Sequence, residues 1–414
     1  MAAGSETHDR PEVLDADIVE AVSGVRSAYV ELLSAVPREA QGAIGLERAL
    51  GISKKLAWQV YRVATSESPL GSGARVPGKA ATRQVLSAAR RAGVSADIAG
   101  RVERATELFH QAVSDHADDR SSFDLMVRSV SGDGIAGHDA ELKRTAYRVN
   151  RELVGRCCDV DLFTLFVRKS ATPGHIELCS LRGLHGLRRL RPGVPLEISR
   201  HRFDQGEGDV RVRETVFGSA PGGGPASLVP EFSTTPLPSI SAIRREGGYT
   251  RFVADVDRLG TTSAVSCFLC DMTRGLPIRS PDGSCAIGNI HEIATPAGVL
   301  YQDMFVDADL LSEDVFGPAE PQLRVLSRRP EHLVWPLDDP GVQLPVPERL
   351  VRAGRGSTAA GAPELPQYAD MVRRVGVQLG WDIENMVLFR VRVEHPVLYS
   401  LVWVRLDLEG RASA

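Results

Sequence analysis

The spacing of apolar residues changes once along this chain, near residue 155, and that change limits the folds open to it. Before it, apolar residues recur at steps of three and four, the period of an amphipathic α-helix. The first such run comprises Ile18, Val22, Val25, Tyr29, Leu33 and Val36. After it come short β-branched and aromatic runs, such as residues 160–167, which are typical of strands. The sequence therefore predicts a helical first part and a strand-rich second part.

The helical part is predicted to extend from residue 12 to about residue 130. Its helices are expected at 12–36, 42–50, 53–65, 79–92 and 95–117, followed by a bridging helix at 138–155. Asp15 and Ser95 carry the side chains that cap helix N-termini. Pro37 ends the first helix, and Gly93 fits the position just after the fourth. Residues 66–78 are rich in Gly, Ser and Pro and are predicted to form a loop.

The second part is predicted to be strand-rich, with one further helix at 365–380. Strands are expected at 160–167, 176–181, 194–198, 250–256, 264–270, 299–306, 323–326, 387–394 and 399–408. Residues 218–238 and 338–366 are dense in Gly and Pro and are predicted to be long loops. Strict strand–helix alternation is missing, so the predicted class is α+β. We expect an all-helical domain at 12–130 and a mixed, strand-rich domain at 138–414.

Length and composition narrow the class of protein further. A chain of 414 residues is too long for one ordinary core, which predicts two domains, with three as the alternative. Its apolar runs are all shorter than the roughly 18–20 residues of a membrane helix, and the first residues lack a signal-peptide pattern. The six cysteines lack the regular spacing of a secreted framework, so we expect reduced thiols. We therefore expect a cytoplasmic protein with no membrane partner.

The formal net charge of −4 conceals a basic block between residues 48 and 104. That block holds eleven basic and three acidic groups, a balance of +8. The basic groups are Arg48, Lys54, Lys55, Arg62, Arg75, Lys79, Arg83, Arg90, Arg91, Arg101 and Arg104. Because local charge decides which polyanions a surface attracts, this block is compatible with a nucleic-acid partner.

One segment, residues 46–60, has the residue order of two helices joined at a sharp corner. Gly51 can adopt the positive φ that ends the first helix, and Ser53 can cap the second. Apolar or small residues occupy the positions that would face a shared core: Leu46, Leu50, Ile52, Ala57 and Val60. This order resembles the helix-turn-helix of bacterial DNA-binding regulators, over about residues 42–64.

The resemblance departs from the usual pattern at one position. The residue after the first apolar position is usually small, whereas here it is Glu47, and the small residue Ala49 follows two places later. We therefore expect a helix crossing slightly different from the usual one.

The resemblance implies that double-stranded DNA is the partner and that the second helix reads it. The predicted DNA-binding residues are Ser53, Lys54, Lys55, Trp58, Gln59, Arg62 and Lys79. Lys54 and Lys55 lie in the first helical turn, where the helix dipole disfavours cations unless phosphates or guanines compensate. Gln59 could read adenine, Arg62 could reach guanine or phosphate, and Lys79 could reach only the DNA backbone. The alternative is a helical hairpin with a solvated basic face, in which Trp58 packs at the edge.

Other motifs favour structural roles. Residues 73–80 nearly match a P-loop, but Ala80 replaces the magnesium-binding hydroxyl and no strand precedes them. Cys267 and Cys270, with Cys285 and His291, could form a zinc set, but residues three apart in a strand point to opposite faces.

Two acidic pairs and one histidine are further candidates for binding or acid–base roles. The acidic pairs are Asp255 with Asp257 and Asp307 with Asp309, which we assign to strand ends and turns. His185 lies among Arg182, Arg188, Arg189 and Arg191, in a segment predicted as a cationic helix that either holds an anionic ligand or is solvated. We assign no catalytic residue, metal or cofactor.

These observations favour a DNA-binding transcriptional regulator. Its second domain would sense a small-molecule ligand or mediate association, and such proteins commonly form homodimers. One alternative is an enzyme of unknown chemistry in residues 150–414, with the helical domain as a protein-interaction module; another is a purely structural partner protein. DNA binding requires Lys54, Lys55, Gln59 and Arg62 on one exposed surface, whereas an enzyme requires convergent polar groups in the second domain.

Overall fold

The chain divides into two compact units, Met1–His138 (unit 1) and Asp139–Ala414 (unit 2). Helices fill the first and sheets dominate the second, which confirms the predicted α+β class. The computed structural model describes residues 14–37, 40, 42–68, 70–131, 135–202, 212–218, 227–236, 238–244, 249–256, 258–279, 286–311, 320–327, 342–344 and 347–407.

The described part of unit 1 is helical throughout. Its helices are α1 (Ala16–Ala35), α2 (Ala43–Leu50), α3 (Lys54–Ala64), α4 (Lys79–Arg91), α5 (Ala96–His116) and α6 (Arg120–Ser131). Helix α7 (Ile135–Val154) carries the chain from unit 1 into unit 2. Fully buried aromatic side chains on α1, α5 and α6 lie at the centre of the unit 1 core: Tyr29, Phe109 and Phe123.

The local signals at the helix ends are largely as predicted. The Ser53 hydroxyl accepts a hydrogen bond from the Leu56 N–H, and Ser95 caps α5 in the same way. Gly93 adopts a φ of +87° just beyond α4. Asp15 occupies the N-cap position of α1, but its side chain does not cap the helix; its carboxylate lies 3.0 Å from His116 Nδ1 instead.

Residues 66–78 differ from the predicted loop. The segment Leu70–Arg75 forms a 3-10 helix, and most of it is buried. Gly73 makes this possible, because a Cβ there would lie only 3.2 Å from a methyl group of Val22. Arg120 of α6 donates to the carbonyl oxygens of Gly73 and Val76, which satisfies part of the buried backbone. Composition alone could not indicate this burial, which depends on α1 and α6.

Unit 2 contains fourteen described strands and one helix after α7, α8 (Tyr368–Leu379). The strands are β1 (Arg156–Lys169), β2 (His175–Arg189), β3 (Leu196–Arg202), β4 (Val212–Thr215), β5 (Ser227–Leu228), β6 (Ser239–Arg244), β7 (Tyr249–Asp255), β8 (Val265–Pro277), β9 (Ala286–Glu292), β10 (Ala297–Asp307), β11 (Glu320–Leu326), β12 (Val351–Arg355), β13 (Met386–Glu394) and β14 (Leu401–Asp407).

These strands form one large and two small sheets. The large sheet has eight strands: its order is β12-β13-β10-β1-β2-β8-β4, and β5 also pairs with β8. Strands β1 and β10 run parallel, whereas the other neighbours in this sheet run antiparallel. The small sheets have the orders β11-β14-β9 and β3-β7-β6.

The central strand β1 shows how the layers pack. Leu162 and Phe166 pack into the cluster that contains the buried residues of α8. Leu165 and Val167 point the other way, into a cluster shared with β9 and β14. Both faces of the large sheet are therefore covered, which explains why β1 is apolar along most of its length.

A buried ion pair anchors α8 to the large sheet. Asp303 of β10 is fully buried, and its carboxylate accepts hydrogen bonds from Arg390 of β13 and from the Tyr368 hydroxyl of α8, each at 2.7 Å. Burial raises the pKa of Asp303, while Arg390 and Tyr368 oppose that shift. The Thr164 hydroxyl lies 2.7 Å from that of Tyr368, so strand β1 joins the same network.

The structure of unit 2 differs from the prediction in one helix, in the long loops and in the set of strands. The segment from Arg182 to Arg189 around His185 belongs to strand β2, not to a cationic helix, and Arg191 lies just beyond the strand. Its leucines recur every three residues, which suits a helix, but a strand irregularity at Gly186, with φ of +66°, shifts the alternation. The predicted loops 218–238 and 338–366 contain strands β5 and β12, and strands β4, β6 and β9 were not predicted either.

The pairing of β2 with β8 leaves no room for a side chain at Gly183. A Cβ there would lie 2.1 Å from the Cys267 carbonyl oxygen and 2.7 Å from the Phe268 Cα. We expect Gly183→Ala to lower the free energy of unfolding by about 3 kcal/mol, the upper end of the usual cost of overpacking. Gly361→Ala is the control, because its Cβ would meet only the Thr358 oxygen at 3.9 Å. Equal denaturation midpoints for both variants would contradict this packing.

Candidate nucleic-acid interface

One side of helix α3 is held in the core of unit 1. The side chains on this side are buried: Leu56, Ala57, Val60, Val63 and Ala64. They pack in the cluster that also holds the buried residues of α1 and α2. Because successive residues of a helix are rotated by about 100°, burying this side leaves the opposite side to solvent.

The corner between α2 and α3 is built as the sequence predicts. Gly51 adopts the left-handed conformation, with φ of +62°, and its N–H donates to the Glu47 carbonyl oxygen at 3.0 Å. Ile52 is buried beneath the corner, and Ser53 caps α3. The helix crossing does not use Ala49, which is exposed; Ala57 is the small, fully buried residue at this contact.

The outward side of α3 brings together six of the seven predicted DNA-binding residues. Ser53, Lys54, Lys55 and Trp58 are exposed, and Gln59 and Arg62 are partly exposed. The five residues within the helix lie on about 140° of its circumference. The lysines, Gln59 and Arg62 therefore share one surface, as DNA binding requires.

Among the residues that the structure describes, the cations of this surface have no counter-ions. Helix α3 contains no acidic residue, and within the described part of the chain neither Lys54 nor Lys55 forms an ion pair. The Arg62 Nε atom is buried and has no hydrogen-bond partner there. Elsewhere in the basic block the charges are partly neutralised, since Arg90 pairs with Glu103 and Arg101 with Glu31. The uncompensated charge of the block therefore includes α3.

Lys79, the seventh predicted DNA-binding residue, lies on helix α4 and not on α3. It is exposed at the first position of α4, after a Gly78 N-cap. Its charge acts on His110 of α5: burial lowers the pKa of His110, and the charges of Arg120 and Lys79 lower it further. Lys79 therefore lies on α4, within electrostatic range of His110 on α5, and does not share helix α3 with the other predicted residues.

The cysteines of β8 pack separately. Cys267 lies in a cluster with Leu196 and Phe252, whereas Cys270 lies on the other sheet face, 3.5 Å from the sulfur of Cys179. This is the strand alternation that the sequence predicts. Burial raises the pKa of Cys267 to about 12, so its thiol is inert.

The remaining motif residues lie at strand ends or outside the described part. Asp307 ends β10 and accepts a hydrogen bond from the Asp309 N–H, and Asp255 ends β7. Cys285 and Asp257 lie outside the described residues. The P-loop-like segment, residues 73–80, begins within the 3-10 helix Leu70–Arg75 that follows α3, and no strand in the described part of the chain precedes it.

Unit 2 contains two histidine pairs that sequence reasoning missed. The Ser266 hydroxyl lies 2.8 Å from His185 Nδ1, and burial lowers the pKa of this histidine. His291 Nε2 lies 2.9 Å from an Asp161 oxygen. The partners are 81 and 130 residues apart in sequence, so no local pattern could reveal them. If unit 2 were an enzyme, histidine pairs of this kind could serve in general acid–base catalysis.

No protein-family model, curated protein or solved structure matches this chain. None of the helices in the described part combines the length and apolar character needed to cross a bilayer. The functional assignment therefore rests on the geometry of α3 and its surroundings.

The corner at Gly51 allows a test by a pair of glycine substitutions. Gly51→Ala should lower the free energy of unfolding by about 1–2 kcal/mol, because an L-residue is strained in the left-handed region. Gly24→Ala, on the exposed side of α1 with no atom within 4 Å of its Cβ position, should raise it by roughly 0.5–1 kcal/mol. Chemical denaturation measures both. Effects of the same sign would show that Gly51 does not form this corner.

Proposed function

We propose that this protein is a DNA-binding transcriptional regulator that reads double-stranded DNA with helix α3. The observation that carries the proposal is an outward helix side that bears Lys54, Lys55, Gln59 and Arg62, whose cations form no ion pair within the described part of the chain. The opposite side is buried, so the orientation of these groups is fixed. The proposal includes a cytoplasmic location, where such a protein meets its DNA.

The dimensions of α3 support insertion into the major groove. Its 11 residues span about 16 Å, and the groove, about 12 Å wide, admits one α-helix. In this arrangement Lys54 and Lys55 lie at the N-terminal end, which commonly approaches the bases in helix-turn-helix proteins.

Each side chain on α3 has a chemical role in the proposal. The lysines meet phosphates or guanine, which offsets the unfavourable helix dipole at their positions. Gln59 forms two hydrogen bonds with adenine, and Arg62 reaches guanine or phosphate. Trp58, about half exposed, offers an apolar contact on the same surface. Lys79 contributes a phosphate contact at most.

Unit 2 is proposed to regulate the DNA-binding unit. Its sheets would hold a small-molecule ligand or join copies of the chain, and a homodimer would match two half-sites in the operator. The polar residues of the Asp303 network bond to one another, so they serve the fold rather than a ligand.

The first prediction concerns salt. The full chain should bind duplex DNA, and its affinity should fall steeply and linearly on logarithmic axes as salt increases, because each neutralised phosphate releases counterions. Fluorescence anisotropy of a labelled duplex at several salt concentrations measures this. An affinity that does not change with salt, or no binding at low salt, contradicts the proposal.

The second prediction separates base reading from attraction to phosphate. Gln59→Ala should cost roughly 1–3 kcal/mol on the preferred site and little on random DNA, because a bidentate contact with adenine is lost. Lys79→Ala should weaken both DNAs alike and reduce the salt slope by about one unit.

Neither side chain is buried, so both variants should fold, which circular dichroism checks. If Gln59→Ala weakens specific and random DNA equally, α3 does not read bases. The basic surface would then be unspecific, and an enzyme in unit 2 would be the better account.

A further inference from the structure

Helix α7 exposes several large apolar side chains to solvent. None of its 20 residues is buried. Leu142, Val149 and Leu153 are 46%, 50% and 67% exposed. In the described part of the chain, each other helix exposes at most one large apolar side chain, as α8 does with Val377. The surface on α7 is therefore unusual within this protein.

The exposed residues form a continuous stripe. Together with Ala146 they follow steps of four, three and four residues, which is the spacing of a coiled-coil seam. On a helical projection these four residues lie within about 60° of one another. We call them the α7 stripe.

The stripe lies away from the side on which α7 packs against unit 2. Lys143 pairs with Glu348, and the Tyr147 ring lies 5.1 Å from that of His395. These two residues project about 90–130° from the centre of the stripe. These two contacts with unit 2 therefore hold α7 in place without covering the stripe.

We propose that the α7 stripe is a dimerisation surface and that its occupant is the α7 stripe of a second copy of this chain. A seam with this spacing is closed by a helix with the same spacing, and among the described helices only α7 exposes one. A surface that pairs with itself gives a closed twofold dimer.

The residues beside the stripe are compatible with self-pairing. In an antiparallel pair, Thr145 faces Glu152 of the second copy, whereas Lys143, on the other flank of the seam, is held by Glu348 of its own chain. In a parallel pair, Thr145 faces Asn150 of the second copy. Neither arrangement sets two like charges directly opposite each other, so the flanks impose no electrostatic penalty on self-pairing.

Support for the proposed dimer comes from α7 alone, whereas its consequence for DNA binding rests on the proposed function. The chain passes from unit 1 to unit 2 within α7, so pairing of this helix gives a dimer that carries two copies of α3. Two copies of a reading helix match an operator with two half-sites.

Sedimentation equilibrium of the full chain without DNA tests the dimer. The wild type should show twice the 44.7 kDa of one chain, and the triple variant Leu142→Glu, Val149→Glu, Leu153→Glu should show one chain mass. All three positions are exposed, so the fold should persist, which circular dichroism checks. Val377→Glu is the matched control: this residue is 77% exposed on α8 and should leave the dimer intact.

A gain-of-function variant keeps the test valid if the triple variant unfolds. Ala146→Leu adds apolar surface at the seam and should tighten the dimer about tenfold. A wild type that is monomeric at every concentration overturns the proposal, as does a folded triple variant that remains dimeric or an Ala146→Leu variant with unchanged affinity. Because DNA is absent, failure here is distinguishable from failure of DNA binding.

Discussion

Burial of one side of α3 is the constraint on which the candidate interface depends. Leu56, Val60 and Val63 can face the unit 1 core in only one rotation of the helix, and Ala57 allows the close approach to its neighbours. That rotation directs Lys54, Lys55, Gln59 and Arg62 outward together. The chemical character of the surface thus follows from the packing behind it, and the corner at Gly51 determines where the helix begins.

The two units use charged groups in opposite ways. In unit 2, the Asp303 carboxylate accepts hydrogen bonds from Arg390 and Tyr368. These bonds hold α8 to the sheet. A buried network of this kind specifies an arrangement, and removal of one member would leave an unpaired charge in the core. On α3 the two lysines are exposed and Arg62 is partly exposed. These cations lack counter-ions in the described part of the chain, so a polyanion can neutralise them.

Sequence reasoning succeeded where structure is local and failed where distant segments decide it. The helix period, the Gly51 corner and the Ser53 cap depend on neighbouring residues and were predicted correctly. The burial of Leu70–Arg75 depends on α1 and α6, and the strand at 182–189 depends on pairing with β1 and β8. The contact of His185 with Ser266 joins residues far apart in sequence, so no local pattern could indicate it.

Capture and sequencing of genomic DNA bound by the purified full chain tests the central claim most directly. The account predicts that a defined sequence motif is enriched. It also predicts that the motif disappears in a folded variant in which Lys54, Lys55, Gln59 and Arg62 are all replaced by alanine. Enrichment of no motif by the wild type, or of the same motif by the variant, would contradict the conclusion that α3 reads DNA.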